Sequence, residues 1–184
     1  MPILFLFQPI CFHTASTNKM PSELEIQLYI AAGYGWVEEI ENLIRIVADI
    51  NGAFSNLGYS PLNFAVTCNE VQSVKILIKH NVKVQNTILH KYHATNYNGD
   101  DFAIPRILLH NGADINAKGF NGNTPLHFAA MLDWNPKYAH FLMRNGSSLK
   151  MKNNDGMSPL ECALTENKQK FAKVIIYNQH NAEM

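Results

Sequence analysis

The stretch GNTPLHFAA, residues 122–130, decides how the rest of the sequence is read. Thr124 is a typical helix N-cap residue, and Pro125 suits the first helical position, where no backbone N–H is needed. Gly122 lies two residues before the cap, where a turn with positive φ favours glycine. Ala129 is small enough to let the helix lie close to a neighbour. The stretch therefore predicts a turn that leads into a short, closely packed helix.

The same pattern recurs along the chain. It reads GYSPLNFAV from Gly58 and GMSPLECAL from Gly156, with Pro61 and Pro159 at the proline position. One weaker copy lies before the copy at Gly58, and another lies between the copies at Gly58 and Gly122. Self-similarity at a fixed period indicates a repeat protein, in which each unit packs only on its neighbours. We delimit five units of about 33 residues, at 22–54, 55–85, 86–118, 119–152 and 153–181.

Each unit has room for a second helix. In the fourth unit Tyr138, Phe141 and Leu142 follow the i, i+3, i+4 spacing of an apolar helix face. The segments between units, such as NAKGFN and KMKNND, combine residues that favour turns and predict projecting loops.

The unit G-x-T-P-L-H-x-A-A, followed by an apolar helix and by the LLHNGADIN pattern of residues 108–116, resembles the ankyrin repeat. The resemblance extends over residues 22–181 and implies an all-α fold. We expect a solenoid of stacked helix-turn-helix units with projecting β-hairpin-like loops, in one ankyrin repeat domain over residues 21–184. The first and third units depart most from the pattern.

The segment 1–20 is apolar and uncharged at its start. Its apolar run is shorter than the ~20 residues that span a bilayer and is interrupted by Pro2 and Pro9, so we expect no membrane insertion. Two readings stay open. The segment covers an apolar end of the domain, or translation begins at Met20, after which Ser22 and Glu25 have the spacing of a capping box.

The third unit departs from the pattern in two places. The connection 81–87 is about six residues too short for a finger loop, and extra residues lie between His90 and Gly112. We therefore expect the stack to be interrupted there. The extra segment, residues 92–101, is either drift in a tolerant loop or a specific insertion that contacts a partner through Tyr92, Tyr97 and two aspartates.

His127 is the most obvious candidate for chemistry, but its position favours a structural role. It is the third residue of its helix, able to reach back to the cap or across to the neighbouring loop. Asn63, His90 and Glu161 occupy the same position in other units, so the position tolerates different side chains. His90 and His93 have a spacing that zinc ligands use, but His90 is already the motif histidine. We expect no metal, no cofactor and no enzymatic activity.

Composition limits the partners. The 15 basic and 15 acidic residues balance, which disfavours nucleic acid. The three cysteines are odd in number and far apart in the sequence, which favours reduced thiols and therefore a reducing compartment. We expect a monomer in the cytoplasm, or in the host cytosol if the protein is a secreted effector.

The interpretation favoured by these observations is a non-catalytic protein–protein interaction module that binds a partner protein through its concave face and finger loops, as an adaptor or a secreted bacterial effector. The alternatives are a degenerate scaffold fragment without a specific partner and a ligand- or metal-binding enzyme that uses residues 92–101. By the resemblance, partner contacts fall beside the turn glycines and after the paired alanines. We expect them at Tyr59, Phe120, Asn121, Asn123, Met131, Leu132, Trp134, Asn154, Asp155 and Met157. The residues expected to maintain the repeat structure are Gly58, Pro61, Gly122, Thr124, Pro125, His127, Gly156 and Pro159.

Overall fold

The computed structural model describes residues 22–46, 50–51, 60–95, 102–131 and 136–182. This part of the chain forms ten α-helices in five consecutive pairs and contains no strand, so the all-α prediction is confirmed. The inner helices of the pairs are α1 (Glu23–Tyr34), α3 (Pro61–Thr67), α5 (Ile88–Thr95), α7 (Pro125–Met131) and α9 (Pro159–Thr165). The outer helices are α2 (Val37–Ile46), α4 (Val71–Lys79), α6 (Ala103–His110), α8 (Pro136–Arg144) and α10 (Gln169–Ala182).

Local capping sets the start of the inner helices. The hydroxyls of Ser22, Ser60 and Ser158 accept the backbone N–H of the third helical residue at 3.3, 3.1 and 3.4 Å. Proline follows the cap in α3 and α9, where its missing N–H costs nothing. One helix pair falls within each of the five units, while the unit boundaries themselves stay predictions.

The pairs stack in chain order. Each inner helix packs on the next, from α1 through α9, and α2 packs on α4, α4 on α6 and α8 on α10. Small residues allow this close approach, because Ala31, Ala65, Ala129 and Ala163 are all 0–1% exposed. The core is a row of buried side chains that runs the length of the stack.

The inner helices stack continuously through the third unit, so the expected interruption is wrong for them, whereas the outer helices α6 and α8 do not pack closely on each other. The connection from α4 to α5 has eight residues, 80–87, against fourteen between α6 and α7 and fourteen between α8 and α9. The finger is therefore short, as the sequence predicts, yet α5 packs on both α3 and α7. A shortened loop leaves the helix-to-helix contacts intact because those contacts lie elsewhere on the unit.

Aromatic rings join the third unit to the fourth. The ring of Phe102 lies 5.6 Å from that of Tyr138 and 5.0 Å from that of Phe141, and Tyr92 lies 5.7 Å from Tyr138. The Arg106 guanidinium lies 5.9 Å above the Phe141 ring. Large rings fill this junction of the stack.

Tyr92 is buried, which contradicts its part in the second reading of residues 92–101, a partner contact. Its side chain is 2% exposed because it packs against Tyr138. Tyr97, Asp100 and Asp101, the other members of that hypothesis, lie outside the described residues, as do Gly58, Tyr59 and the segment 1–20. Within the described ranges, no helix is long and apolar enough to cross a bilayer.

Gly33 in α1 lies directly against the side chain of Phe64 in the next inner helix, α3. A Cβ atom there would lie 2.2 Å from two ring atoms of Phe64, and that ring stacks on Tyr29 at 4.4 Å. A contact of this length is far below van der Waals distance, so a side chain at position 33 must displace the Phe64 ring.

We predict that Gly33→Ala lowers the free energy of unfolding by about 1–3 kcal/mol through overpacking. Urea unfolding of the single and double variants checks this. In a Phe64→Ala background the same change should be neutral or stabilising, because alanine is the better helix former by about 0.5–1 kcal/mol. Equal destabilisation in both backgrounds would contradict the ring clash.

Candidate partner-binding surface

Two finger loops project from the fourth and fifth units. We call residues 117–123 finger four and residues 151–157 finger five. In finger four the Gly119 N–H donates to the Asn123 carbonyl at 2.8 Å, and in finger five the Asn153 N–H donates to the Met157 carbonyl at 2.9 Å. Gly122 and Gly156 have φ of 67° and 74°, a conformation that favours glycine. The fingers are thus tight turns closed by backbone hydrogen bonds.

The two fingers are joined to each other. The Asn154 N–H donates to the Asn121 carbonyl at 3.0 Å, and the Asn121 amide donates to the Asp155 carboxylate. The Lys118 ammonium donates to the Lys152 carbonyl at 3.0 Å. Three links across one boundary hold the fingers as a single surface.

The buried side chain of Asn153 holds the two fingers in place through hydrogen bonds. Its amide N–H donates to the Asn123 side-chain oxygen at 2.9 Å, and its own oxygen accepts the N–H groups of Asp155 and Met157 at 3.1 and 3.0 Å. Asn153 is 6% exposed. Sequence reasoning missed this residue, because Asn153 and Asn154 are adjacent and nothing in KMKNND tells them apart.

The residues expected to bind a partner divide into three groups. Phe120 is 87% exposed at the tip of finger four, and Asn154 and Asp155 are exposed in finger five. Asn121, Met131 and Met157 are half-buried beside them. Leu132, Trp134 and Tyr59 lie outside the described residues.

Asn123 differs from the expectation of an exposed contact residue. It is 4% exposed, and its side-chain oxygen accepts the Asn153 amide. Gly122, Asn123 and Thr124 are all buried, since the turn at Gly122 brings the chain back towards the stack. Asn123 is therefore a structural residue of the fingers and not an exposed contact.

His127 connects two units. Its Nδ1 accepts the Thr124 backbone N–H at 3.2 Å and lies 2.7 Å from the Thr124 hydroxyl, while Nε2 donates to the Met157 carbonyl at 3.0 Å. This set of partners requires the neutral tautomer with the proton on Nε2, since the Thr124 N–H leaves Nδ1 as an acceptor. Burial lowers the pKa of His127, and the Met157 carbonyl opposes that shift in part.

The equivalent residues make related contacts. The Asn63 amide donates to the Gln85 side chain at 3.1 Å, and His90 Nε2 lies 2.9 Å from the Asn123 carbonyl. Glu161, in the last described unit, instead accepts the Lys152 ammonium of its own unit at 2.5 Å. The hydrogen bonds from Lys152 and Ser158 lower the pKa of Glu161 to about 2.

The contacts of the histidine and cysteine side chains bear on whether they could bind a metal or act as nucleophiles. Both ring nitrogens of His90 lie near carbonyls, Nδ1 at 3.1 Å from that of Thr87 and Nε2 near that of Asn123. No group of three or more potential ligands from histidine, cysteine, aspartate and glutamate comes together in the part of the chain that the structure describes. Cys68 and Cys162 are free thiols, and burial raises the pKa of both.

Comparison with known proteins agrees with this geometry. Residues 92–184 match the family model for ankyrin repeats, in three copies. The chain belongs to the ankyrin repeat family. It is 28% identical over 159 residues to neurogenic locus notch homolog protein 1 of Homo sapiens, an alignment that covers 85% of this chain and 6% of that protein.

Other relatives resemble it over similar or shorter stretches. Transient receptor potential cation channel subfamily A member 1 of Homo sapiens is 25% identical over 153 residues, 81% of this chain and 14% of the channel subunit. The putative ankyrin repeat protein FPV244 of Fowlpox virus is 34% identical over 82 residues, 45% of this chain and 12% of the viral protein. The chain thus spans a small part of the length of these relatives.

We predict that Asn153→Ala lowers the free energy of unfolding by about 2 kcal/mol, because it leaves the buried Asn123 side-chain oxygen and two part-buried finger N–H groups without their partner. Urea unfolding checks the value. The matched control is Asn154→Ala in the exposed neighbour, which should cost less than about 0.5 kcal/mol. Similar losses in the two variants would show that Asn153 does not organise the fingers.

The lowered pKa of His127 predicts a pH dependence of stability. Above about pH 6.5 the ring is neutral in both folded and unfolded chains. As the pH falls below this value the unfolded chain takes up a proton first, so stability is lost until the folded ring is protonated as well. We expect urea unfolding at pH 8 to show the wild type more stable than His127→Asn by about 1 kcal/mol.

The difference between these two proteins should shrink as the pH is lowered towards 5. The comparison isolates His127 because the remaining ionisable groups are common to both. A difference that stays constant, or grows, on acidification would contradict a ring held in its neutral form.

Proposed function

We propose that this ankyrin repeat protein is a non-catalytic binding module that grips a partner protein through fingers four and five. The observation that carries the proposal is Phe120, an 87% exposed phenylalanine at the tip of a hydrogen-bonded turn. Aromatic side chains are common anchors of protein interfaces. An aromatic ring on a fixed turn can enter an apolar pocket without a large loss of chain entropy.

The fixed geometry of the fingers supports this function. The bonds from Asn154 to Asn121 and from Lys118 to Lys152 are made before any partner arrives. A surface already held in its binding conformation avoids part of the ordering cost of association. The bonds that join the fourth and fifth units would therefore also prepare the fingers for binding.

The chemistry around Phe120 suggests the kind of partner. Asn121 follows Phe120 in finger four and bonds to Asn154 and Asp155 of finger five. These polar and charged groups would form a rim that hydrogen-bonds at the edge of an interface. The partner that fits is a folded protein with an apolar pocket and a polar border. We propose that this partner is met in a cytosol, where the protein acts as an adaptor or a secreted effector.

The alternative of a degenerate scaffold fragment has less support. That reading relied on a broken third unit, whereas α5 packs on both neighbours and aromatic rings fill the junction with the fourth unit. An enzyme that uses residues 92–101 would have Tyr92 near its site, but that side chain is buried in the stack.

We predict that Phe120→Ala weakens binding to the partner at least 10-fold, as expected on removal of an interface anchor. Partners are captured from the native cellular setting by crosslinking and identified, and their affinities are then measured with purified proteins. The control is Ile46→Ala, which removes an exposed apolar side chain at the end of an outer helix. Both variants should unfold at the temperature of the wild type.

The proposal fails if a partner binds Phe120→Ala and wild type equally well. It also fails if Ile46→Ala weakens binding as much as Phe120→Ala does, because the effect would then not belong to the fingers.

A further inference from the structure

A row of basic side chains faces solvent along the outer helices. Four of these helices contain a core residue that is 0% exposed, namely Leu77 in α4, Leu108 in α6, Leu142 in α8 and Ile175 in α10. A residue two positions before or after such a core residue lies about 160° from it around the helix axis. These positions therefore point away from the core.

Basic residues fill nearly all of these outward positions. They are Lys75 and Lys79 in α4, Arg106 and His110 in α6, His140 and Arg144 in α8, and Lys173 in α10, where Tyr177 takes the remaining position. All but the half-buried His140 are exposed, and the exposed Lys170 adds a cation one turn before Lys173. We call the lysines and arginines of this set the outer ridge: Lys75, Lys79, Arg106, Arg144, Lys170 and Lys173.

No carboxylate offsets the charge of the outer ridge within its own helices. The helices α4, α6, α8 and α10 contain neither aspartate nor glutamate. Among the described residues, none of the ridge cations forms an ion pair, whereas Lys152, outside the ridge, pairs with Glu161. The equal numbers of acidic and basic residues in the whole sequence therefore conceal a local excess of positive charge.

The first unit has the opposite charge. In α2 the position two residues before the buried Leu43 is Glu41, and Glu38 and Glu39 lie one turn earlier. The outer ridge thus begins at the second unit and extends to α10.

The outer ridge runs across helices that lie side by side. Helix α4 packs on α6, and α8 packs on α10. At the looser junction between α6 and α8, the Arg106 guanidinium lies 5.9 Å from the centre of the Phe141 ring. With about 8–10 Å between packed helices, the cations extend over roughly 30 Å.

The character of the outer ridge distinguishes between anionic partners. Protein interfaces usually have an aromatic or apolar anchor, but among the described residues no large apolar side chain of α4, α6 or α8 is exposed. Single-stranded nucleic acid is held by aromatic rings in a basic groove, and duplex DNA by an element that enters a groove. The ridge is instead spread over several parallel helices. A layer of anionic lipid headgroups needs only such a spread of charge.

We propose that the outer ridge docks this protein on an anionic membrane surface, with the headgroups of lipids such as phosphatidylserine as its ligands. Each basic residue near such a surface strengthens binding by about fivefold. The attraction acts within about 10 Å at ordinary salt, so the ridge cations must lie close to the headgroups. The carboxylates of α2 are repelled, which turns the first unit away from the membrane.

Docking through the outer ridge leaves the fingers free. Phe120 lies in finger four and the ridge residues lie on outer helices, so the two surfaces can be occupied together. The cytoplasmic leaflet of cell membranes carries anionic lipids. A partner held at the fingers would then be brought to that leaflet.

Flotation of the full chain with lipid vesicles tests the proposal. The wild type should bind vesicles of phosphatidylcholine that contain about one third phosphatidylserine, and should not bind vesicles of phosphatidylcholine alone. Raising the salt from about 0.1 M to about 1 M should release the protein, because the Debye length falls from about 10 Å to about 3 Å.

Paired variants locate the binding surface. Lys75→Gln with Lys173→Gln removes two ridge charges and should weaken the partition onto anionic vesicles about 25-fold. The matched control is Lys83→Gln with Lys150→Gln, which removes two exposed lysines outside the ridge and should weaken it less than about threefold. Thermal unfolding should be unchanged in both, since all four side chains are exposed. Phe120→Ala should bind vesicles like the wild type, which separates membrane docking from partner binding at the fingers.

The proposal is overturned if the wild type does not prefer the anionic vesicles, or if the control pair loses as much binding as the ridge pair. The same proteins are titrated against a labelled DNA duplex. Binding to the duplex that depends on the ridge, with no binding to anionic vesicles, would assign the surface to nucleic acid and overturn membrane docking.

Discussion

The hydrogen bond that links the third residue of an inner helix to the loop before the next inner helix is the contact on which the stack depends. His127 donates to the Met157 carbonyl, and Asn63 donates to Gln85. A solenoid has no contacts between distant parts of the sequence, so its cooperativity comes from neighbouring units. These bonds lie at buried or half-buried unit boundaries, where a lost partner costs more than at an exposed site. They tie the loops, and with them the proposed binding surface, to the helical stack.

The same reasoning accounts for much of the asparagine in this sequence. Asn51 and Asn116 each accept a backbone N–H from the next unit, at 2.7 and 2.8 Å. Asn69, Asn121 and Asn167 have positive φ, where asparagine is the best substitute for glycine. In the structure the amide serves both as a bridge between units and as a residue for tight turns.

The sequence was sufficient for the fold because each cap, proline and glycine acts within a few residues of itself. Pro61 and Pro159 begin helices wherever the neighbouring units lie. Continuity through the third unit could not be inferred in this way, since it rests on rings from different units, such as Phe102 and Phe141. The buried state of Asn123 was equally hidden, because it depends on a partner, Asn153, thirty residues further on.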